Sequence, residues 1–510
     1  MNLKKSMRAV LAVSLLAGVV GTVPGHAAAE ITHITLTSKA PDRITIAATV
    51  FKPEGASATN PVPMILHSHG WGGSRSRSGM TNWTDAGFGV LSFDQRGFGE
   101  SEGQANVEDP ELEGKDVETV VDYIAGLDWV AKDNGGVVDE AFGTPDPVLG
   151  AIGGSYGGGY QTIGALTETR NYGRTRFNAL APQITWYDLP ESLGPQGVVR
   201  TLWVTLLYAA GAGTVPQYIH EGFAVGAATG WFPDGTVPGT TNLKAEFLEH
   251  SPKGFADNGT FLDIPVLIGQ GSTDNLFNLN QGIHNLLDVV TPEAQEQSLF
   301  IGYNGGHVLP EALPYSNPVG GDKCSPGGFD SLSRSFFTKV FTGSDTQALL
   351  PARFNITDHK GATCLSTSSV TTYVDKTPVV PAIASASLPV GAPLQLKIAE
   401  GPLKITGIPT LSGTITNTPD ARAVFGLSVG ANEATAVLQQ NNVMPLRRLL
   451  PSALEEFEIE LPGVGINLAA GESLYLTVSQ TATHFVGFSG RTPGAWAISD
   501  PVVSLPIAQN

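Results

Sequence analysis

Two stretches near the start of the chain alternate apolar and polar residues: ITHITLT (31–37) and RITIAATVFKP (43–53). That is the two-residue period of half-buried strands, and Ala40-Pro41-Asp42 supplies a turn between them. Six short apolar runs follow: PVPMILHSHG, FGVLSFDQRG, DPVLGAIGGS, FNALAP, DIPVLIGQG and QSLFIGYNGG. Each is about five apolar residues closed by polar or glycine punctuation, the pattern of strands buried on both faces of a parallel sheet. Helical periodicity lies between them. In KDVETVVDYIAGLDWVAK, residues Val117, Val120, Val121, Ile124 and Leu127 recur at i, i+3, i+4 and i+7, and one helix is expected across the whole stretch, up to Asp128-Trp129. Strand–helix–strand alternation predicts an α/β domain with right-handed crossovers.

The rhythm breaks twice. Residues 183–250, which include QITWYDLPESLGPQGVVRTLWVTLLYAAGAG, are aromatic-rich and partly helical, and fall between the fourth and fifth buried strands. They are expected to form a cap over one end of the sheet. After Cys364, STSSVTTYVDKTPVVP is expected to be a polar link. PLQLKIAE, PLKITG, TLSGTIT, AVFGLSV, EFEIELPG, ESLYLTVS and AWAISDPVVSL then alternate with turn signals, as in a β-sandwich or jelly roll. The expected division is a leader at 1–29, a catalytic α/β domain at 30–365 with its insertion at 183–250, and a β domain at 366–510.

The first residues are set apart by composition. MNLKKSMR is basic, AVLAVSLLAGVVGTV is apolar, and Ala27-Ala28-Ala29 fits a small-residue cleavage site. This is the pattern of a secretory signal cleaved after about Ala29, so an exported protein without stable membrane insertion is expected. Formal net charge is −18 over 510 residues, and loss of Lys4, Lys5 and Arg8 with the leader makes the remainder more acidic. Such a chain repels phosphates, which excludes nucleic acid as a partner. The two cysteines, Cys324 and Cys364, are expected to form a disulfide in an oxidising compartment. No cofactor motif is present, and the sequence carries no sign of an oligomeric state. His67-x-His69 lacks further ligands at metal spacing, so no metal is expected, and His69 is read as a structural residue beneath a turn.

The chemistry centres on GGSYGG, residues 153–158. It lies between a strand and a helix, and Gly153-Gly154-Ser155-Tyr156-Gly157 fits G-x-S-x-G, in which a serine sits on a sharp, strained turn. A serine nucleophile needs a base, and the base an orienting carboxylate, in the chain order Ser, Asp, His. Asp274 (in Gly271-Ser272-Thr273-Asp274) and His307 (in Gly305-Gly306-His307) each follow a buried strand, at the end of the sheet where such sites are built. The histidines that compete with His307 for this place do not follow a sheet strand as it does: His284 lies in a helix, His220 and His250 in or beside the insertion, His359 near the link and His484 in the β domain. Asp263 precedes its strand and faces the wrong end. The oxyanion requires donors. The N–H groups of Tyr156, directly after the nucleophile, and of Trp71, in the turn His69-Gly70-Trp71-Gly72-Gly73, are expected to supply them.

These residues resemble the Xaa-Pro dipeptidyl peptidase and cocaine esterase family of α/β-hydrolases. The resemblance rests on G-x-S-Y-x-G at Ser155, on G-x-x-D and on G-G-H. Asp94-Gln95-Arg96-Gly97-Phe98-Gly99-Glu100-Ser101 fits that family's D-x-R-G-x-G-x-S, and Glu113-Gly114-Lys115-Asp116 also matches. The resemblance spans about residues 31–510 and is loose after His307. It implies a helical cap, a C-terminal jelly roll and a serine hydrolase acting on esters or amides. One departure stands out: the family's better-known members place a tyrosine in the oxyanion turn, where this chain has Trp71. A dipeptidyl peptidase also requires an acid to hold the substrate's amino group, for which Glu221 and Asp234 in the insertion are the candidates.

Three functions are therefore in view. The first is an exported serine hydrolase working through an acyl-enzyme, either an acyl esterase or an Xaa-Pro dipeptidyl peptidase. The second is a lipase or polyester hydrolase, suggested by Trp186, Tyr187, Trp203 and Tyr208. The third is a carbohydrate- or surface-binding protein with an inert α/β domain, which the complete Ser, Asp, His order disfavours.

Overall fold

The computed structural model describes residues 29–311, 313, 321–325, 327–371, 373–378, 382–389, 392–485 and 494–507. The expected leader lies outside the described residues apart from Ala29. The α/β domain is built on a ten-stranded sheet: β1 (Glu30–Thr37), β2 (Thr45–Lys52), β3 (Met64–Ser68), β4 (Gly89–Phe93), β5 (Leu149–Gly154), β6 (Ala179–Gln183), β7 (Leu267–Gly271), β8 (Leu299–Tyr303), β9 (Phe354–Thr357) and β10 (Cys364–Thr367). Their spatial order is β1-β2-β4-β3-β5-β6-β7-β8-β9-β10. Strands β3 to β9 run parallel, while β1, β2 and β10 pair antiparallel at the two edges.

The six apolar runs became β3 to β8 because both faces of the sheet are covered. Met64 and Leu66 enter one apolar cluster with Val117, Val120 and Ile163, whereas Ile65 between them enters another with Phe336 and Phe337. The helix expected to run up to Asp128-Trp129 instead spans Glu113–Ala125 and ends at Gly126. The carbonyl of Trp129 and the amide of Ala131 bond Val62, and this strand-like pairing displaces the next helical turns.

The insertion between β6 and β7 holds the helices Leu189–Leu193, Thr201–Gly211, Gln217–Thr229 and Leu243–Glu249. The C-terminal residues form two antiparallel sheets. One carries Thr410–Asn417, Ser452–Glu460 and Trp496–Pro506, the other Leu394–Glu400, Ala421–Gly430 and Ser473–Ser479. Side chains of both sheets share one apolar cluster that includes Ile415, Phe425, Leu476 and Ile498. The segment expected to be only a link contains a further strand, Tyr373–Pro378, which pairs with Trp496–Pro506. A ribbon of Leu403–Gly407 and Val464–Leu468 lies against the α/β domain: the amide of His359 donates to Gly465 at 2.7 Å. Cys324 and Cys364 are joined in a disulfide, which fits an oxidising compartment. No helix among the described residues is long and apolar enough to cross a membrane.

Candidate active site

Ser155 stands between the end of β5 and the helix Tyr156–Tyr172, with φ 58° and ψ −123°. Positive φ is costly for a residue with a side chain and persists only where the surroundings enforce it. They do so here through close packing. Gly153 has φ 147°, and a Cβ there would collide with the Gly157 carbonyl and lie 2.9 Å from the Ser68 carbonyl. The short side chains of GGSYGG thus let the turn fold over β3 and lift the hydroxyl clear.

The structure brings Ser155, His307 and Asp274 together, although 152 residues separate the first two. Ser155 Oγ lies 2.8 Å from His307 Nε2, and His307 Nδ1 lies 2.7 Å from Asp274 Oδ2. Asp274 is fully buried. Its Oδ2 also accepts the His307 amide at 2.9 Å, and its Oδ1 accepts the amides of Leu276 and Phe277 at 3.0 and 2.7 Å. Gly306 (φ 98°) permits this approach, because a Cβ there would fall 2.6 Å from the Asp274 side chain. The imidazole is gripped edge-on by Trp203 and Phe277, with ring centroids 5.9 and 5.3 Å away. Burial alone would lower the pKa of His307, but the charge and hydrogen bond of Asp274 outweigh it and raise it above 6.5.

The amide of Tyr156 opens the helix behind Ser155, where no helical carbonyl can take it. Gly70 backs onto the serine: a Cβ on it would lie 3.8 Å from Ser155 Cβ. Trp71 follows in the same turn. Its indole donates to the Leu207 carbonyl at 2.9 Å, which leaves its backbone N–H as the donor it could offer an oxyanion. His69 lies under this turn. Its Nδ1 faces the Gly70 carbonyl at 2.8 Å, and its Nε2 accepts the Gln95 amide at 3.1 Å. His67 bonds Ser92, and burial pushes its pKa down to about 4. The Asp94–Ser101 stretch is scaffolding: Asp94 holds Arg75, and Arg96 bridges Asp116 and Asp42.

A cavity of about 120 Å³ opens at Ser155. Its wall comes from the core (Val107, Leu276, Phe277) and from the insertion (Trp186, Leu207, Phe223). No charged side chain lines it among the described residues. The acids expected to anchor an amino group are elsewhere. Glu221 is exposed and accepts from Gln217, while Asp234 is occupied by Trp231 and Thr236. Neither lines the cavity. Of the aromatic residues singled out in the insertion, Trp186 and Tyr208 line the cavity and Trp203 packs on His307, whereas Tyr187 stacks on His284.

Residues that motif reading did not single out hold the loop after β7. Asn275 accepts the indole N–H of Trp203 at 2.8 Å and the amide of Leu309 at 3.2 Å, and donates to the Leu309 carbonyl at 2.7 Å. Arg200 donates to the Asn275 carbonyl at 2.7 Å. From the β domain, Asn442 donates to the Asp274 carbonyl at 2.6 Å, and His484 Nε2 lies 3.1 Å from Asn275 Nδ2. An asparagine in a polar loop carries no signature of its own. The only hint was the unusual run QQNN at 439–442, buried in the structure.

The sheet order, the strained serine after β5 and the Asp and His after β7 and β8 define an α/β-hydrolase. Residues 42–221 match the family described as X-Pro dipeptidyl-peptidase (S15 family), so the resemblance read in the sequence holds over that segment. This match supports a hydrolase that cleaves ester or peptide bonds. Solved structures share the whole architecture. A CocE/NonD family hydrolase from Staphylococcus aureus superposes with a TM-score of 0.61 at 13% identity, covering 95% of this chain and 97% of its own. An α-amino acid ester hydrolase gives 0.59 at 14% identity, covering 97% and 100%. An aminopeptidase from a marine sediment archaeon, a Thaumarchaeota archaeon, gives 0.59 at 14%, covering 94% and 97%. At these identities the likeness establishes the fold. No curated protein matches the chain.

Proposed function

We propose that the protein is an exported serine esterase that hydrolyses esters of apolar acyl groups. Ser155 Oγ attacks the acyl carbon as its proton passes to His307 Nε2. Asp274 holds the ring in the tautomer that can accept it and stabilises the imidazolium. The amides of Tyr156 and Trp71 receive the oxyanion. The carbon–oxygen bond then breaks, His307 returns the proton to the departing alcohol, and an acyl-enzyme remains. Water, deprotonated by the same histidine, releases the acid and restores Ser155.

The observation that carries the ester reading is the uncharged wall around Ser155. An apolar cavity of roughly 150 Å³ is enough to take up benzene, so a short acyl chain or small ring suits this one. A free ammonium in the same place would be desolvated without a partner, at a cost of several kcal/mol. The family match over 42–221 favours a second reading, an Xaa-Pro dipeptidyl peptidase. The test is hydrolysis of a p-nitrophenyl acyl ester series and of Ala-Pro p-nitroanilide, with Ser155→Ala as blank. Ester cleavage with little anilide cleavage is expected. Efficient anilide cleavage that is lost on blocking the substrate's amine would replace the esterase by the peptidase. Inactivity on both by a folded protein would overturn the hydrolase reading altogether.

A further inference from the structure

Beside the acyl cavity, on the outer side of its wall, three side chains converge that hydrolysis at Ser155 does not use. Asp109 comes from the core loop before the helix Glu113–Ala125. Glu246 and His250 come from the cap, four residues apart at the end of the helix Leu243–Glu249 and therefore on one face. One ligand atom from each lies within 4.8 Å of the other two. His250 is only 2% exposed, and its Nδ1 is buried with no hydrogen-bond partner. Its Nε2 lies 4.0 Å from Glu246 Oε1. Among the described residues, neither carboxylate has a lysine or arginine partner. The backbone carbonyls of Asn106 and Val107 approach the ring, but Nε2, the nitrogen nearest Glu246, stands beyond hydrogen-bond distance of that carboxylate.

We propose that Asp109, Glu246 and His250 bind a divalent transition-metal ion of the zinc type, which ties the cap to the core beside the acyl cavity. The donor set is one imidazole nitrogen and two carboxylates, which zinc accepts with water as a fourth ligand. The imidazole favours zinc over calcium or magnesium, which prefer all-oxygen shells. Tetrahedral bonds of about 2.0–2.2 Å place donors about 3.3 Å apart, so the His250–Glu246 pair has to close by less than about 1 Å. Glu246 is 41% exposed and free to move inward. The ion would act on the cavity from behind. Val107, two residues before Asp109, and Phe247, next to Glu246, both line it, and the indole of Trp186 in the same wall donates to the His250 carbonyl at 3.0 Å. This inference is independent of the esterase reading.

The test uses the purified, tag-free protein stripped with a chelator, then titrated with Zn²⁺ by calorimetry and followed by thermal melting. One zinc per chain is expected, with a rise in Tm that a chelator reverses. Glu246→Gln and Asp109→Asn alter partly exposed side chains and should fold. Each is expected to weaken zinc binding at least about 10-fold, as losing even an outer-shell partner does, and to abolish the rise in Tm. Absence of zinc uptake would overturn the proposal. So would uptake of unchanged affinity in both variants, or a response to Ca²⁺ but not to Zn²⁺.

Discussion

Ser155 keeps its positive φ because backbone from β3 and from the following helix presses on the turn, so the strain belongs to the site and not to the serine side chain. Ser155→Ala should therefore retain the wild-type Tm while ester hydrolysis falls about 10³–10⁶-fold, a comparison read by melting and by p-nitrophenyl ester assay. Asp274 is different, since its carboxylate accepts backbone amides as well as the imidazole. Asp274→Asn should lower kcat about 10⁴-fold by presenting the wrong tautomer and should also lower Tm. The pH profile follows from His307. The ring must be neutral to accept the serine proton, and Asp274 raises its pKa above 6.5. The acid limb of kcat/KM is accordingly expected above pH 6.5, with activity falling about tenfold per unit below it. A limb below 6.5 would show that the pKa of His307 is not raised in the free enzyme.

At the scale of elements, the insertion and the loop after β7 shape what enters the site. Phe223, on the helix Gln217–Thr229, stacks on Tyr208 with ring centroids 3.8 Å apart, and both line the cavity. Phe223→Ala should enlarge the cavity and move the optimum of an acyl ester series to longer chains, at a cost of about 3 kcal/mol or less in stability because the ring is only partly buried. An unchanged chain-length optimum would place the acyl group elsewhere. The periodicity of the sequence located these helices only loosely. Thr201–Gly211 is apolar on nearly every side, so no stripe told which face meets the core. That face is selected by Trp71, which bonds the Leu207 carbonyl, and by His307, which packs on Trp203, both distant in sequence.

At the scale of the molecule, the β domain is part of the site's support. Asn442 holds the Asp274 carbonyl, and His484 meets Asn275. Asn442→Ala should lower kcat about tenfold, the effect of losing one buried hydrogen bond of about 1.4 kcal/mol, with KM little changed. The two domains are also clamped by charge. Burial opposes a charge on His284, but Asp288 and Glu460 outweigh it and push its pKa up to about 10. Glu460, in the β domain, is held below its usual range by His284 despite its own burial. A raised histidine pKa stabilises the fold fully below about pH 6.5, and the contribution is lost as pH rises through about 10. Glu460→Gln should therefore cost about 1–2 kcal/mol near neutrality, between the values for exposed and buried charged bonds. The difference from wild type should vanish above about pH 10, as read by denaturant melts across pH.

The sequence alone determined the α/β class and the six buried strands, and it singled out Ser155, Asp274 and His307, which the fold brings together. Each depends on local pattern: apolar runs need both sheet faces covered, and a serine on a strained turn needs small neighbours. Trp71 could be named from its place after β3, but the engagement of its indole by Leu207 could not. Only the tertiary structure decided that Glu221 and Asp234 lie off the cavity, that the cavity wall is uncharged, and that Asn275, Asn442 and His484 brace the loop carrying Asp274. Those outcomes depend on contacts between residues as much as 209 positions apart, where side-chain direction and packing, and no local period, set which groups meet.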